Sequence, residues 1–233
     1  MRLHNFFIDQ KIGEAKLIRL EDAELLHQLK NVFRLEKDAQ IVLLDNSGFQ
    51  FRSRVELLTK SEGVFEVLEV TENKVKPARG VCLCVSMIKK DNFEWILEKG
   101  TELGVSYFIP IVSERSIKTN FNHERGLKIM KEASEQSGRA KLPGLYEVIT
   151  LETALQQVEK DKFFAIAFHK DGKKFDPKIA DPKMNAVFIG PEGGWSEAEL
   201  EAFKKYGVEI YSLGDQTLRA ETAAIAASAL LLL

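Results

Sequence analysis

The chain has 233 residues and 45% hydrophobic content, enough for one large domain or two small ones with real cores. It is neither collagen-like nor disorder-prone. Its start lacks the apolar stretch of a signal peptide, and the apolar run over residues 226–233 is far too short to span a bilayer. A soluble, cytoplasmic protein with no membrane partner is expected.

The net charge of −2 excludes a globally basic nucleic-acid binder, but the charge is uneven. Residues 1–75 hold 11 Lys+Arg against 13 Asp+Glu, residues 79–141 hold 11 against 8, and residues 142–233 hold 10 against 14. The middle third is therefore the basic part. An excess of three positive charges fits a phosphate-facing surface and an ordinary solvated surface equally well.

Residues 1–74 read as a small β-rich unit. Strands are expected over residues 3–8, 15–20, 40–45, 49–58 and 64–71, with a hairpin turn at Asn46-Ser47-Gly48. In the fourth, Phe49, Phe51, Ser53, Val55 and Leu57 alternate with Gln50, Arg52, Arg54 and Glu56, a period of two with one polar, partly basic face. One helix over residues 22–33 carries Leu25, Leu26, Leu29, Val32 and Phe33 on one side. Five short strands with a helix suggest a small barrel. The charged segment 72–79, containing Pro77, reads as a linker.

Strands and helices then alternate, which implies a parallel sheet covered on both faces. Strands are expected over residues 80–88, 106–112, 145–149, 163–168, 186–189 and 208–213. Between them come helices over 92–103 (capping box Asp91 with Glu94), 124–137, 152–158 and from Ser196 (capping box with Glu199), and a last helix after Arg219. Residues 171–183 read as a polar loop. Cys82 and Cys84, at i and i+2 of one strand, point to the same face and read as core residues. The four histidines (His4, His27, His123, His169) form no ligand spacing, so no metal is expected.

Two turns at the end of the chain carry the chemistry. Gly190-Pro191-Glu192-Gly193-Gly194 follows a strand and opens a helix, yet lacks both the lysine of a phosphate loop and the spacing of a dinucleotide loop. Adjacent glycines permit close backbone approach, so the turn suits either a ligand held by main chain or a bare strand-to-helix turn. In the second, Arg219 and Glu221 flank Ala220 where a helix begins. The helix dipole favours Glu221 there and disfavours Arg219, which calls for an anionic partner: Glu221, Glu192 or a substrate.

One family shows a matching set of residues. It comprises His4-Asn5-Phe6-Phe7; Lys89, with Glu94-Trp95-Ile96-Leu97-Glu98-Lys99 and Thr101-Glu102-Leu103-Gly104; Ser113-Glu114-Arg115-Ser116; and Glu135-Gln136-Ser137-Gly138-Arg139. It ends with Ile189-Gly190-Pro191-Glu192-Gly193-Gly194, Leu213-Gly214 and Leu218-Arg219-Ala220-Glu221-Thr222-Ala223. In this order and spacing the chain resembles the RsmE-type methyltransferases. These methylate N3 of a uridine in small-subunit (16S) ribosomal RNA and belong to the SPOUT superfamily of knotted, S-adenosylmethionine-dependent enzymes. The chain departs from the family pattern at Asn5 (usually Arg), Trp195 (Phe), Gln216-Thr217 (Arg-Ile or Arg-Val) and Ala220 (Thr).

The resemblance implies an α/β fold: a knotted parallel-sheet SPOUT methyltransferase domain over residues 75–233, preceded by a small PUA-like β-barrel RNA-binding domain over residues 1–74. It implies S-adenosylmethionine as cofactor, held by Phe168, His169, Ile189, Gly190, Pro191, Glu192, Gly193, Gly194, Leu213, Gly214, Leu218, Ala220, Thr222 and Ala223. It implies catalysis by Arg219 with Glu221, the latter ahead of Glu114 as base or as orienter of the arginine. RNA contacts are expected at Arg2, His4, Arg34, Lys89, Arg115 and Arg139, with Arg52 and Arg54 as a further basic face. The implied partners are small-subunit ribosomal RNA, free or in the assembled small subunit, and a second copy of the chain docked through the apolar last helix. Two alternatives stand beside this: a methyltransferase of the same superfamily acting on another RNA such as transfer RNA, and a non-catalytic RNA-binding ribosome-assembly protein.

Overall fold

The computed structural model describes residues 3–74, 77, 79–117 and 121–233. Contacts divide it into two compact units, Met1–Lys76 with Ser134–Leu142, and Pro77–Ala133 with Pro143–Leu233.

In the first unit, strands β1 (Asn5–Phe7), β2 (Leu17–Leu20), β3 (Gln40–Leu44), β4 (Phe49–Leu58) and β5 (Gly63–Glu72) form one sheet in the order β1-β3-β4-β5-β2. β1 and β3 are parallel and the other pairs antiparallel. The period-two pattern of β4 holds at its centre, where Phe51, Ser53 and Val55 are buried. Phe49 and Leu57, expected inside, are exposed at the strand ends. The expected helix begins as α1 (Ala23–His27), capped by the Asp22 carboxylate, which accepts from the Leu25 N–H at 3.0 Å. It then widens into a π turn over Gln28–Val32. That widening rotates Val32 out to solvent, while Leu25, Leu26 and Leu29 stay in the core.

The arginines on the basic face of β4 are paired with carboxylates of the same unit and stay partly exposed. Arg52 pairs with Glu69 at 2.9 Å, and Arg54 pairs with Glu56 at 3.0 Å and Glu66 at 2.5 Å. The second piece of this unit is tied in by backbone donors and acceptors. Asn5 Nδ2 donates to the Glu135 carbonyl (2.7 Å), the Phe7 N–H to the Glu135 carboxylate (2.8 Å), and Asn73 Nδ2 to the Gly138 carbonyl (2.7 Å). Phe7, Leu44 and Ala140 form its small core.

The second unit is a parallel sheet. Its strands are β6 (Gly80–Ser86), β7 (Tyr107–Val112), β8 (Gly144–Leu145), β9 (Ile149–Thr150), β10 (Phe164–Lys174), β11 (Met184–Ile189) and β12 (Glu209–Ser212). The order is β12-β10-β11-β6-β7-β8, with β9 also on β7. Helices α2 (Lys90–Leu103), α3 (His123–Ser137), α4 (Leu151–Asp161), α5 (Glu197–Lys205) and α6 (Ala220–Leu232) complete the chain. Both faces are covered. Val81, Leu83 and Val85 of β6 pack with α2 and α6, while Cys82 and Cys84 pack with α4 and α5. The two cysteines are thus buried, free thiols of the core.

Three local expectations need correction. α2 begins at Lys90 with Lys89 as its N-cap, so that Asp91 lies within its first turn, and the Glu94 carboxylate is held by Arg125 through two hydrogen bonds of 2.6 and 2.7 Å. The expected strand over 145–149 splits into β8 and β9, with Tyr146-Glu147-Val148 looping out between them. The expected polar loop from Asp171 is in part strand: β10 runs on to Lys174, and after a register shift its Lys173 and Lys174 pair with Tyr211 and Ser212 of β12. No helix among the described residues is long and apolar enough to cross a membrane.

Candidate functional site

β10, β11 and β12 run parallel, so the turns that leave their C-terminal ends gather at one end of the sheet. There the chain encloses a cavity of about 400 Å³, in the range of small-molecule sites.

The turn after β11 is fastened on every side. Pro191, Trp195 and Ser196 are buried. The Gly194 N–H donates to the Pro191 carbonyl (2.8 Å) and the Trp195 indole to the Phe168 carbonyl (3.1 Å). The indole also meets Phe203 edge to face at 4.9 Å. Ser196 and Glu199 form the expected capping box on α5. One Glu199 oxygen accepts from the Ser196 N–H (2.8 Å) and the other from the Glu114 N–H (2.8 Å). This carboxylate therefore holds the loop after β7 against the turn after β11. Arg115 on that loop donates to the Gly193 carbonyl at 2.8 Å. A Cβ on Gly193 would lie 3.2 Å from the arginine stem, so a bulkier residue would push the arginine away.

The turn after β12 is built differently. Residues 214–219 are all exposed. Ser212 steadies its start, donating to the Gly214 carbonyl (2.8 Å) and accepting from the Gly214 N–H (3.2 Å). Arg219 is the N-cap of α6 and makes no side-chain capping hydrogen bond. Its side chain is 82% exposed, with Nη1 4.0 Å from Oε1 of Glu221, whose own side chain is only 6% exposed. Oε2 of Glu221 is buried with no hydrogen-bond partner.

A model of the RNA methyltransferase domain matches residues 75–232. The Ribosomal RNA small subunit methyltransferase E of Bacillus subtilis is 32% identical over 95% of this chain and 93% of its own length. The chain belongs to the RNA methyltransferase family. A relative of the same description from Aquifex aeolicus is 28% identical over 99% of each chain. The solved Ribosomal RNA small subunit methyltransferase E of Neisseria gonorrhoeae, bound to S-adenosyl methionine, superposes with a TM-score of 0.89 at 27% identity, over 98% of this chain and 96% of that one.

In this member of the family, the cavity is lined by Phe168, His169, Ile189, residues 190–194, Leu213, Gly214, Leu218 and Ala223. Ala220 and Thr222, expected there too, are not in its lining. Ala220 is packed into the core under α6, and Thr222 faces solvent. Arg219 and Glu221 stand between lining residues Leu218 and Ala223 without lining the cavity themselves. Gln216 and Thr217, within the segment 213–223 expected around the cofactor, also line the cavity, whereas sequence reasoning missed Lys170, Trp195 and Ser212 as wall residues. Trp195 stood out only as a departure from the family pattern, and the bend that brings in Lys170 has no local signature.

The residues expected to meet RNA fall into separate groups. Arg2 lies outside the described residues. His4 and Arg34 are exposed in the first unit, where the His4 ring lies 4.7 Å from that of Phe33, next to Arg34 in sequence. Arg139 belongs to the same unit, and burial pushes its guanidinium down to about 10. In the second unit, Lys89 is exposed at the start of α2, and Arg115 lines the cavity. Asn5, where the family usually has an arginine, is instead the tether to the Glu135 carbonyl. No group of three or more His, Cys, Asp or Glu side chains among the described residues is placed to hold a metal ion.

Proposed function

We propose that the chain uses S-adenosylmethionine to methylate N3 of a specific uridine in small-subunit (16S) ribosomal RNA, in the cytoplasm. One observation carries this reading. The cavity is walled by backbone and apolar side chains of the turns after β11 and β12, joined by polar side chains such as Arg115, His169 and Lys170, in a fold that superposes closely on a relative bound to this cofactor. Adenosine and methionine need main-chain donors and acceptors, apolar walls for the base, and no phosphate-binding lysine. Residues 190–194 and 213–214 offer the main chain, and Ile189, Leu213, Leu218 and Ala223 the apolar surface. The bound cofactor supplies an electrophilic methyl group.

The rest falls to the protein. Uracil N3 carries a proton at neutral pH and becomes a nucleophile when that proton leaves. Two to three pK units of assistance correspond to roughly 3–4 kcal/mol. A guanidinium beside the developing uracil anion supplies this electrostatically, and we assign this role to Arg219, exposed at the start of α6 next to the lining residue Leu218. Glu221, whose Oε1 lies 4.0 Å from the guanidinium, is the carboxylate assigned to act beside Arg219, and its Oε2 is buried without a hydrogen-bond partner. Glu114, whose backbone N–H donates to Glu199, keeps an exposed carboxylate and is the second candidate.

In this reading residues 1–74 are a PUA-like β-barrel RNA-binding domain and residues 75–233 a SPOUT domain with a trefoil knot through the cofactor turns. The chain works as a homodimer joined through α6, whose Leu230 and Leu233 are left exposed. Incubating the protein with radiolabelled S-adenosylmethionine and small ribosomal subunits from an unmodified strain tests it. Label is expected at one uridine N3. Label on transfer RNA instead, or no cofactor binding by calorimetry, overturns it.

A further inference from the structure

A second cavity, of about 330 Å³, opens at the other end of the same parallel sheet. It sits where β6, β7 and β11 begin, walled by Cys82, Tyr107 and Met184 near their starts, and is separate from the cofactor cavity. Its floor is apolar, with Cys82, Ile109 and Val158 all buried. Four polar groups converge on it from different elements. Gln157 and Asp161 come from the end of α4, Tyr146 from the loop between β8 and β9, and Tyr107 from β7.

The two tyrosine rings form a corner, 6.1 Å apart at 65°. Tyr107 lies directly over Gly144, where a Cβ would come within 2.7 Å of the ring, so the corner depends on that missing side chain. Burial pushes the Tyr146 phenol up, and Gln157 hydrogen-bonds it. Among the described residues no lysine, arginine or histidine lines the cavity, and the one full charge they place there is the Asp161 carboxylate. A carboxylate only accepts hydrogen bonds, whereas the Gln157 amide both donates and accepts. Flat aromatic walls with a few convergent polar groups suit a planar heterocycle, and the lone carboxylate selects one that donates N–H and excludes a phosphate from the interior.

We propose that this cavity binds a nucleobase bearing an exocyclic amino group, presented as a free nucleoside or as an unpaired nucleotide of RNA. An acidic side chain accepting from the cytosine amino group is a known base contact. Uracil would turn a carbonyl toward Asp161 at the same position and is rejected. The cavity therefore discriminates against the base that the proposed reaction modifies, and the inference stands whether or not that reaction is confirmed.

Calorimetric titration of the full chain with cytidine and with uridine tests it. Cytidine is expected to bind at least about tenfold more tightly than uridine. Tyr146→Ala is expected to weaken cytidine about tenfold by removing one stacking wall. Asp161→Asn, at an exposed position that leaves the fold intact, is expected to erase the preference for cytidine over uridine. A short single-stranded oligocytidylate that binds more tightly than cytidine, and loses that advantage in Asp161→Asn, assigns the base to RNA. Binding by cytidine alone assigns the cavity to a free nucleoside. No cytidine binding at millimolar concentration, equal binding of the two nucleosides, or a preference unchanged in Asp161→Asn overturns the proposal.

Discussion

The two turns that face the proposed cofactor cavity are of opposite construction. The turn after β11 is held by its own capping box, by the Trp195 indole on the Phe168 carbonyl, and by Glu199 and Arg115 linking it to the loop after β7. The turn after β12 exposes residues 214–219 and leaves Arg219 reaching into solvent. A preformed wall needs many buried hydrogen bonds, whose loss is felt as stability. A segment that meets the ligand late can spare them and hold reactive side chains free. The first turn should therefore answer mutation in melting experiments, and the second in turnover.

The largest expected effect lies in the second turn. Arg219→Ala should lower methyl transfer about 10²–10³-fold, as removal of one fixed donor from a developing anion does. Stability should change by less than about 0.5 kcal/mol because the side chain touches little. Cofactor affinity should hold within about threefold, on the order of 0.6 kcal/mol. A variant that melts early would instead make Arg219 structural and erase the contrast between the turns.

Next comes Glu199→Ala in the first turn. It removes a capping box worth about 1 kcal/mol and strands the N–H groups of Ser196 and Glu114. Together these cost about 2–3 kcal/mol, or roughly 5–10 °C in Tm for a chain of this size. Cofactor affinity should fall with it, because Arg115 and residues 193–195 lose their common anchor. A melting temperature within a degree or so of the wild type would show that the turn holds without the carboxylate.

Trp195→Phe is milder. The family usually has phenylalanine there, so the ring contact with Phe203 should survive and only the indole hydrogen bond to Phe168 be lost. About 1 kcal/mol of stability should go in a urea titration, with turnover nearly unchanged. A loss of turnover without one of stability would move Trp195 from the wall to the reaction.

How far each signal reaches along the chain decides how legible it was in the sequence. The Ser196–Glu199 box and the alternation at the centre of β4 involve neighbours a few residues apart, and both formed as expected. The apparent box at Asp91–Glu94 used the same local grammar and did not form: the helix starts earlier, at Lys90, and the Glu94 carboxylate goes to a distant partner, Arg125. The attachment of Ser134–Leu142 to the first unit rests on contacts with Asn5, Phe7 and Asn73, more than 60 positions away, and no period or cap announces it. At the site, the glycine turns were visible as motifs. Lys170 was not, because it reaches the cavity only through the bend that re-pairs β10 with β12.

The smallest mutational effect should be Thr217→Ala, and it tests the contrast most directly. Thr217 lines the cavity from an exposed segment, so removing its hydroxyl and methyl should leave the free protein within about 0.5 kcal/mol of wild type. Any cost should appear only when cofactor is bound, as a weakening of up to about fivefold, equivalent to roughly 1 kcal/mol. Hydrogen exchange should show the same asymmetry in the wild type. Amides of residues 215–218 should exchange fast in the free protein and slow markedly on addition of S-adenosylmethionine. The Gly194 amide, already bonded to Pro191, should be protected from the start. Equal protection of both turns in the free protein would mean that exposure here does not report mobility, and that the second turn is as preformed as the first.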